Sequence, residues 1–159
     1  ELKDMGSSVD ALARALTLKD EGNAFFKSKD YAVAVEKYSE AVKILKESDA
    51  DPDAVILCNR AAAYIMLERY VPALRDAQLA CELRPTWWQA HWRQGVALLR
   101  LTPKKFRSKA AVAAFETCAE CEDLPENKQE EVLVELRKAK ARLERQEAET
   151  PMPEQCTPS

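Results

Sequence analysis

The sequence predicts an all-α fold built from a repeated pair of helices, and three observations carry that expectation. Only three glycines occur in 159 residues, of which 47% are hydrophobic and 32% charged, a composition that suits packed helices better than turn-rich sheets. Tyr31, Ala34, Val35, Tyr38, Ala41, Val42 and Leu45 follow the i, i+3, i+4, i+7 spacing of a buried helical stripe. The pattern also repeats. Tyr31, Ala34, Tyr38 and Ala41 return as Tyr70, Ala73, Ala77 and Ala80 at an offset of 39 residues, and the last three return as Ala111, Phe115 and Cys118 after a further 38.

Along the chain, residues 1–8 are expected to form an N-terminal tail. The first helix then contains Leu18–Phe26, LKDEGNAFF, with Gly22 at its centre. Glycine inside a helix costs about 1 kcal/mol relative to alanine, so a close approach must need the missing side chain. Upstream of each copy a small residue is followed three later by a large one: Gly22 and Phe25, Ala61 and Tyr64, Gly95 and Leu98. The second and third of these pairs lie 34 residues apart. With that as the underlying period, the first unit carries five extra residues and the third four, at Ser48–Asp53 and Leu101–Lys105. The units are therefore set at about 15–48, 54–87 and 88–124, with insertions near 49–53 and 101–105.

Helix starts are marked by Asp30, by Asp51 before Pro52, and by Thr86 with Gln89 as a capping box. From Pro125 to Glu149, Val132, Leu136, Ala139 and Leu143 form a narrow apolar stripe on an otherwise charged helix. Residues 150–159, TPMPEQCTPS, are proline-rich and expected to be disordered.

These residues resemble the tetratricopeptide repeat (TPR) family over roughly residues 15–123. The family places a small residue where Gly22, Ala61 and Gly95 stand, small residues again in the second helix, and a proline near the end of a unit, filled here by Pro85. The resemblance implies three helix-turn-helix repeats wound into a right-handed superhelix and closed by a capping helix at 125–149. A stack of repeats leaves an apolar end that a polar-backed element must cover.

Composition narrows the function. The formal charge is −3, so no global positive field recruits nucleic acid or a membrane surface. No apolar run approaches a bilayer span and no signal-peptide core opens the chain. Five cysteines, an odd number without regular spacing, favour reduced thiols and the cytoplasm. The chain opens at Glu1 rather than methionine, and a monomeric module of a larger protein is expected. Catalysis is not. The single histidine, His91, falls on the core face of its helix, which leaves little material for a nucleophilic relay or a histidine metal site. Cys118 and Cys121 form one CxxC inside a helix without a second pair, and read as packing residues rather than a zinc or redox site. Gly6, Gly22 and Gly95 are too scattered for a phosphate loop. No catalytic residue, metal or cofactor is assigned.

Successive helical residues are about 100° apart, so each first helix presents a second face beside the one that packs. In the TPR family that face lines a concave groove. Here it carries Lys19, Asn23 and Lys27, then Asn59, Ala62 and Met66, then Gln89, Trp92, Arg93, Val96 and Arg100. Four cations stand there against one negative charge, Asp20, in a chain that is acidic overall; this is the asymmetry of an anion site. The set resembles the carboxylate clamp of co-chaperone TPR domains. That resemblance implies a grip on the acidic C-terminal tails of heat-shock chaperones of the seventy- and ninety-kilodalton classes. Lys19, Asn23, Asn59 and Arg93 match four of the five clamp positions, and Gln89 stands where the family has lysine. Two other functions stay open: a TPR scaffold that binds a folded partner or internal motif through another surface, and the targeting module of a larger enzyme such as a prolyl isomerase or phosphatase.

Overall fold

The computed structural model describes residues 2–101 and 105–149. Within them the backbone forms seven helices and no strand: α1 (Leu2–Lys27), α2 (Tyr31–Glu47), α3 (Ala54–Met66), α4 (Tyr70–Leu83), α5 (Trp88–Arg100), α6 (Lys105–Glu120) and α7 (Glu126–Ala148). Each helix packs on its successor. Among the described residues the backbone of α1 also approaches α3, and that of α3 approaches α5, whereas the backbones of α2, α4 and α6 stay apart from one another. The stack is therefore closed on the side of α1, α3 and α5 and splayed on the other, and the face those three helices share is its concave side.

Small residues set the closeness of each pair. A Cβ on Gly22 would lie 2.5 Å from Cε1 of Tyr38, and one on Gly95 would lie 2.7 Å from Cε1 of Phe115. Both rings are fully buried, so they cannot retreat cheaply. Around them Ala15, Ala34, Ala41, Leu45, Ile56 and Ala63 form the first core cluster. Leu98, Ala111, Phe115 and Ala139 form another, through which α7 joins the stack. Trp87 packs on Ala54, Leu57, Cys58, Ala80 and Ala90, while Trp88 packs on Cys118, Leu124 and Val132, so the two adjacent indoles join successive units.

The turns explain why the helices stop where they do. Lys29, Asp49 and Glu68 sit in the left-handed region at φ 66, 55 and 58°. The following amides donate back to Phe25, Leu45 and Tyr64 over 2.9, 2.9 and 2.8 Å, closing three helix ends in the same motif without glycine. Across repeats one and two, Arg60 of α3 donates from Nε and Nη2 to both carboxylate oxygens of Asp76 in α4 (2.7 and 2.8 Å) and from Nη1 to Ser39 Oγ in α2 (3.3 Å). The pair is nearly buried, at 16% and 10% exposure.

Several expectations are corrected. Residues 2–8 are not a tail but the first turns of α1. The cap of α3 is Asp53, not Asp51: its Oδ1 accepts from the amides of Val55 and Ile56 at 2.7 and 3.0 Å, because α3 begins after Pro52 rather than on it. Thr86 does not form a capping box with Gln89. Helix α5 starts at Trp88, and that residue's amide donates instead to Oδ1 of Asp123, 3.2 Å away in the connection that follows α6. Asp30 does cap α2, accepting from Val33 N at 3.4 Å. The five extra residues of the first unit are divided: α2 runs 17 residues against 14 in α4, and the following connection, 48–53, is two longer than 84–87. Most of the 101–105 insertion and all of the 150–159 tail lie outside the described residues.

Candidate functional site

Gly22 and Asn23 are neighbours in α1, and the packing of the first positions the second. With Tyr38 drawn against Gly22, its hydroxyl reaches Oδ1 of Asn23 and donates to it at 2.7 Å. Nδ2 of Asn59, from α3, donates to the same oxygen at 2.9 Å. The acceptor of Asn23 is thereby occupied twice, which fixes its orientation and leaves its two amide hydrogens, and one of Asn59's, as free donors.

Those donors open into a cavity of about 210 Å³ whose wall also includes Lys27, Ala62 and Arg93. No carboxylate lines it. Two amide groups, an ammonium and a guanidinium from three helices thus converge on one small space with donors in excess of acceptors, a donor set suited to an anion such as a carboxylate. Arg93 reaches across from α5 to lie beside Cys58 of α3. Burial pushes the Cys58 thiol up to about 11, and the adjacent guanidinium opposes that shift. Nε of Arg93 is buried with no hydrogen-bond partner.

Arg93 also borders a second cavity, of about 160 Å³, between α5 and α7. Gln89 and Trp92 line it, and so do Lys128 and Glu131 of α7; Oε1 of Gln89 is buried there without a partner. Asn23, Lys27, Asn59, Ala62, Gln89, Trp92 and Arg93 are thus brought together around two cavities that share one guanidinium. Lys19 lines neither; its Nζ lies 3.5 Å from Asp20. Met66 is half exposed at the end of α3, and Arg100 borders a separate cleft of about 620 Å³ with Lys138 and Arg142.

Val96 lines neither cavity; half-buried, it packs on the Leu98, Ala111, Phe115 and Ala139 cluster. Trp92 serves both sides: its ring meets Phe115 edge-on at 5.6 Å and still borders the second cavity. Tyr38, Lys128 and Glu131 were missed by sequence reasoning. The tyrosine reads only as one more member of a core stripe, and nothing along the chain connects α7 to α5.

The remaining polar candidates are engaged elsewhere. His91 is buried, its Nε2 donating to the carbonyl of Pro85 at 2.7 Å, which leaves Nδ1 to face the Cys81 thiol at 3.5 Å. Cys118 donates to Trp88 O at 3.5 Å and Cys121 to Thr117 O at 3.2 Å, and both are free thiols. Burial raises Cys81 and Cys118 to about 12, the opposite of an activated thiolate. Among the described residues no cluster of three or more His, Cys, Asp or Glu is placed to hold a metal, and no helix is long and apolar enough to cross a membrane. A wider cleft, of about 860 Å³, is lined by Glu120, Glu122 and Asp123 against one cation, Arg84, a balance that disfavours an anion.

Comparison with known proteins gives the arrangement its relatives. No family model matches the chain. The first TPR of Spaghetti (RPAP3), solved with the HSP90 peptide SRMEEVD, superposes with a TM-score of 0.70 at 31% identity, covering 84% of this chain and 95% of that one. The chain belongs to the tetratricopeptide repeat family. The second TPR domain of human RPAP3, solved with the HSP70 peptide SGPTIEEVD, gives a TM-score of 0.68 at 32% identity, covering 82% and 98%. Among curated proteins, tetratricopeptide repeat protein 4 of Mus musculus is 38% identical over 136 residues, 84% of this chain and 32% of that protein. Small glutamine-rich tetratricopeptide repeat-containing protein 2 of Saccharomyces cerevisiae is 38% identical over 85 residues, 54% and 23%. The chain spans no more than about a third of the length of these curated relatives. As TPR units, α1–α2, α3–α4 and α5–α6 are the three helix pairs and α7 follows as the covering helix.

Proposed function

We propose that this TPR module is a non-catalytic, cytosolic adaptor that grips the acidic C-terminal tail of heat-shock chaperones of the seventy- and ninety-kilodalton classes. The observation that carries the reading is the cavity walled by Asn23, Lys27, Asn59 and Arg93, in which the amide hydrogens of Asn23 are turned inward by two hydrogen bonds to its oxygen. A terminal carboxylate entering there meets donors from three helices at once, the guanidinium offering a two-point contact. The solved TPR domains with HSP90 and HSP70 peptides support the same ligand class. Lys19 is assigned to the rim, since its ion pair with exposed Asp20 is weak and exchangeable. Gln89 is a neutral donor where the family has lysine.

Titration calorimetry with a peptide ending in Met-Glu-Glu-Val-Asp, beside the same peptide amidated at its C-terminus, tests the reading. Binding is expected in the micromolar range for the free acid and lost on amidation. Arg93→Ala is expected to weaken it at least tenfold, as the loss of a charge-assisted contact, without unfolding the chain. Equal binding of both peptides, or of neither, would overturn the proposal.

A further inference from the structure

Resting on that reading, the geometry points to Lys128 of the covering helix as the cation that completes the clamp in place of the absent lysine at position 89. Three observations converge. Gln89, Arg93 and Lys128 line one cavity of about 160 Å³, and Arg93 also walls the cavity that holds Asn23 and Asn59. Lys128 therefore lines the same cavity as the side chain that took the lysine's place, and Arg93 joins that cavity to the one beside Asn23 and Asn59.

Its position is set by the core rather than by a loose surface. Val132, one helical turn on, is 1% exposed and packed with Cys118 and Leu124, against which Trp88 and Trp92 of α5 also pack. That wedge registers α7 against α5, so the cavity that Lys128 and Gln89 line together is a property of the fold. In turn, Lys128 is not committed: its Nζ pairs with Glu131 at 2.7 Å, within one turn of the same helix, with the two side chains 44% and 49% exposed. Exposed pairs of this kind hold weakly, and a ligand carboxylate replaces the Glu131 carboxylate contact for contact. Glu131, which lines the same cavity, is thus a competitor for the incoming acid. The arrangement makes affinity depend on α7, whereas a lysine at position 89 would have made it a property of α5 alone.

The test is calorimetry on the full chain with the same free and amidated peptides, at low and at physiological salt. Lys128→Ala is expected to weaken binding of the free acid by roughly three- to tenfold, more at low salt, with Lys128→Arg close to the original. Glu131→Gln is expected to tighten it by roughly twofold or more. Gln89→Lys should make the Lys128→Ala change nearly silent, since the two cations then serve one carboxylate. If the unaltered chain binds the free acid but Lys128→Ala and Glu131→Gln leave its affinity unchanged, this inference fails and the proposed function stands. The inference also fails if Lys128→Ala costs as much in the Gln89→Lys background as alone. If the unaltered chain does not distinguish the free acid from the amide, both fail.

Discussion

Tyr38 shows how one residue links packing to recognition. Its ring fills the space that Gly22 leaves, and its hydroxyl, 2.7 Å from Oδ1 of Asn23, turns that amide's hydrogens into the cavity. Tyr38→Phe keeps the ring and removes only the donor. It is expected to cost about 1 kcal/mol of stability, the usual net value of one buried hydrogen bond. Affinity for the acidic peptide should fall by roughly threefold as Asn23 loosens; urea unfolding and calorimetry measure the two effects. An unchanged affinity would mean that Asn59 alone orients Asn23. The need for glycine at position 22 is legible in the sequence, because a helix-breaking residue amid apolar spacing demands a close neighbour. The hydroxyl's second duty is not, since a tyrosine in a core stripe looks the same whether or not its tip emerges beside an asparagine.

Helices and turns were legible from spacing and punctuation, with errors where a tertiary contact outcompeted a local one. Thr86 and Gln89 have the right spacing for a capping box, yet Asp123, distant in sequence, takes the amide of Trp88. The Arg60–Asp76 pair, with Ser39 as a third partner, was likewise invisible. Its members come from three helices, and charged residues on amphipathic helices ordinarily face solvent. The turn that separates α3 from α4 carries a local cost instead. Glu68 adopts a left-handed φ of 58°, which costs a non-glycine residue of order 1–3 kcal/mol, partly offset because glycine loses more entropy on folding. Glu68→Gly is therefore expected to stabilise the chain by about 0.5–1 kcal/mol, seen as a higher midpoint in thermal or urea unfolding. A lower midpoint would show that the Glu68 side chain makes a stabilising contact.

Across the whole molecule, buried acidic groups govern how stability responds to pH. Cys81 and Cys118 are held near 12, Cys58 near 11 and Tyr38 near 12, all by burial. The unfolded chain would release these protons from about pH 9 for the thiols and 10 for the phenol, while the folded chain keeps them. Below about pH 9 both states hold the protons, and the folding free energy is unaffected. Between about 9 and 12 the native state binds more protons than the unfolded one, so stability falls as pH rises. Urea unfolding at pH 7.5, 9 and 10.5 should give steadily lower midpoints above pH 9, and a flat profile would contradict the burial of these groups.

By itself the sequence determined the all-α repeat, the helix pairs, the glycines at the closest contacts and the donors of the concave face, because each rests on spacings within one helix or on a pattern that recurs along the chain. Only the tertiary structure decided how those donors are used. It turned Asn23 through Tyr38 and Asn59, placed Arg93 on the wall of two cavities, packed a half-buried Val96 against the Leu98–Phe115 cluster and set Lys128 and Gln89 on one cavity. These outcomes depend on the register between helices far apart in the chain. That register is set by where buried rings and methyl groups interlock, a sum over many contacts that no single motif along the sequence encodes.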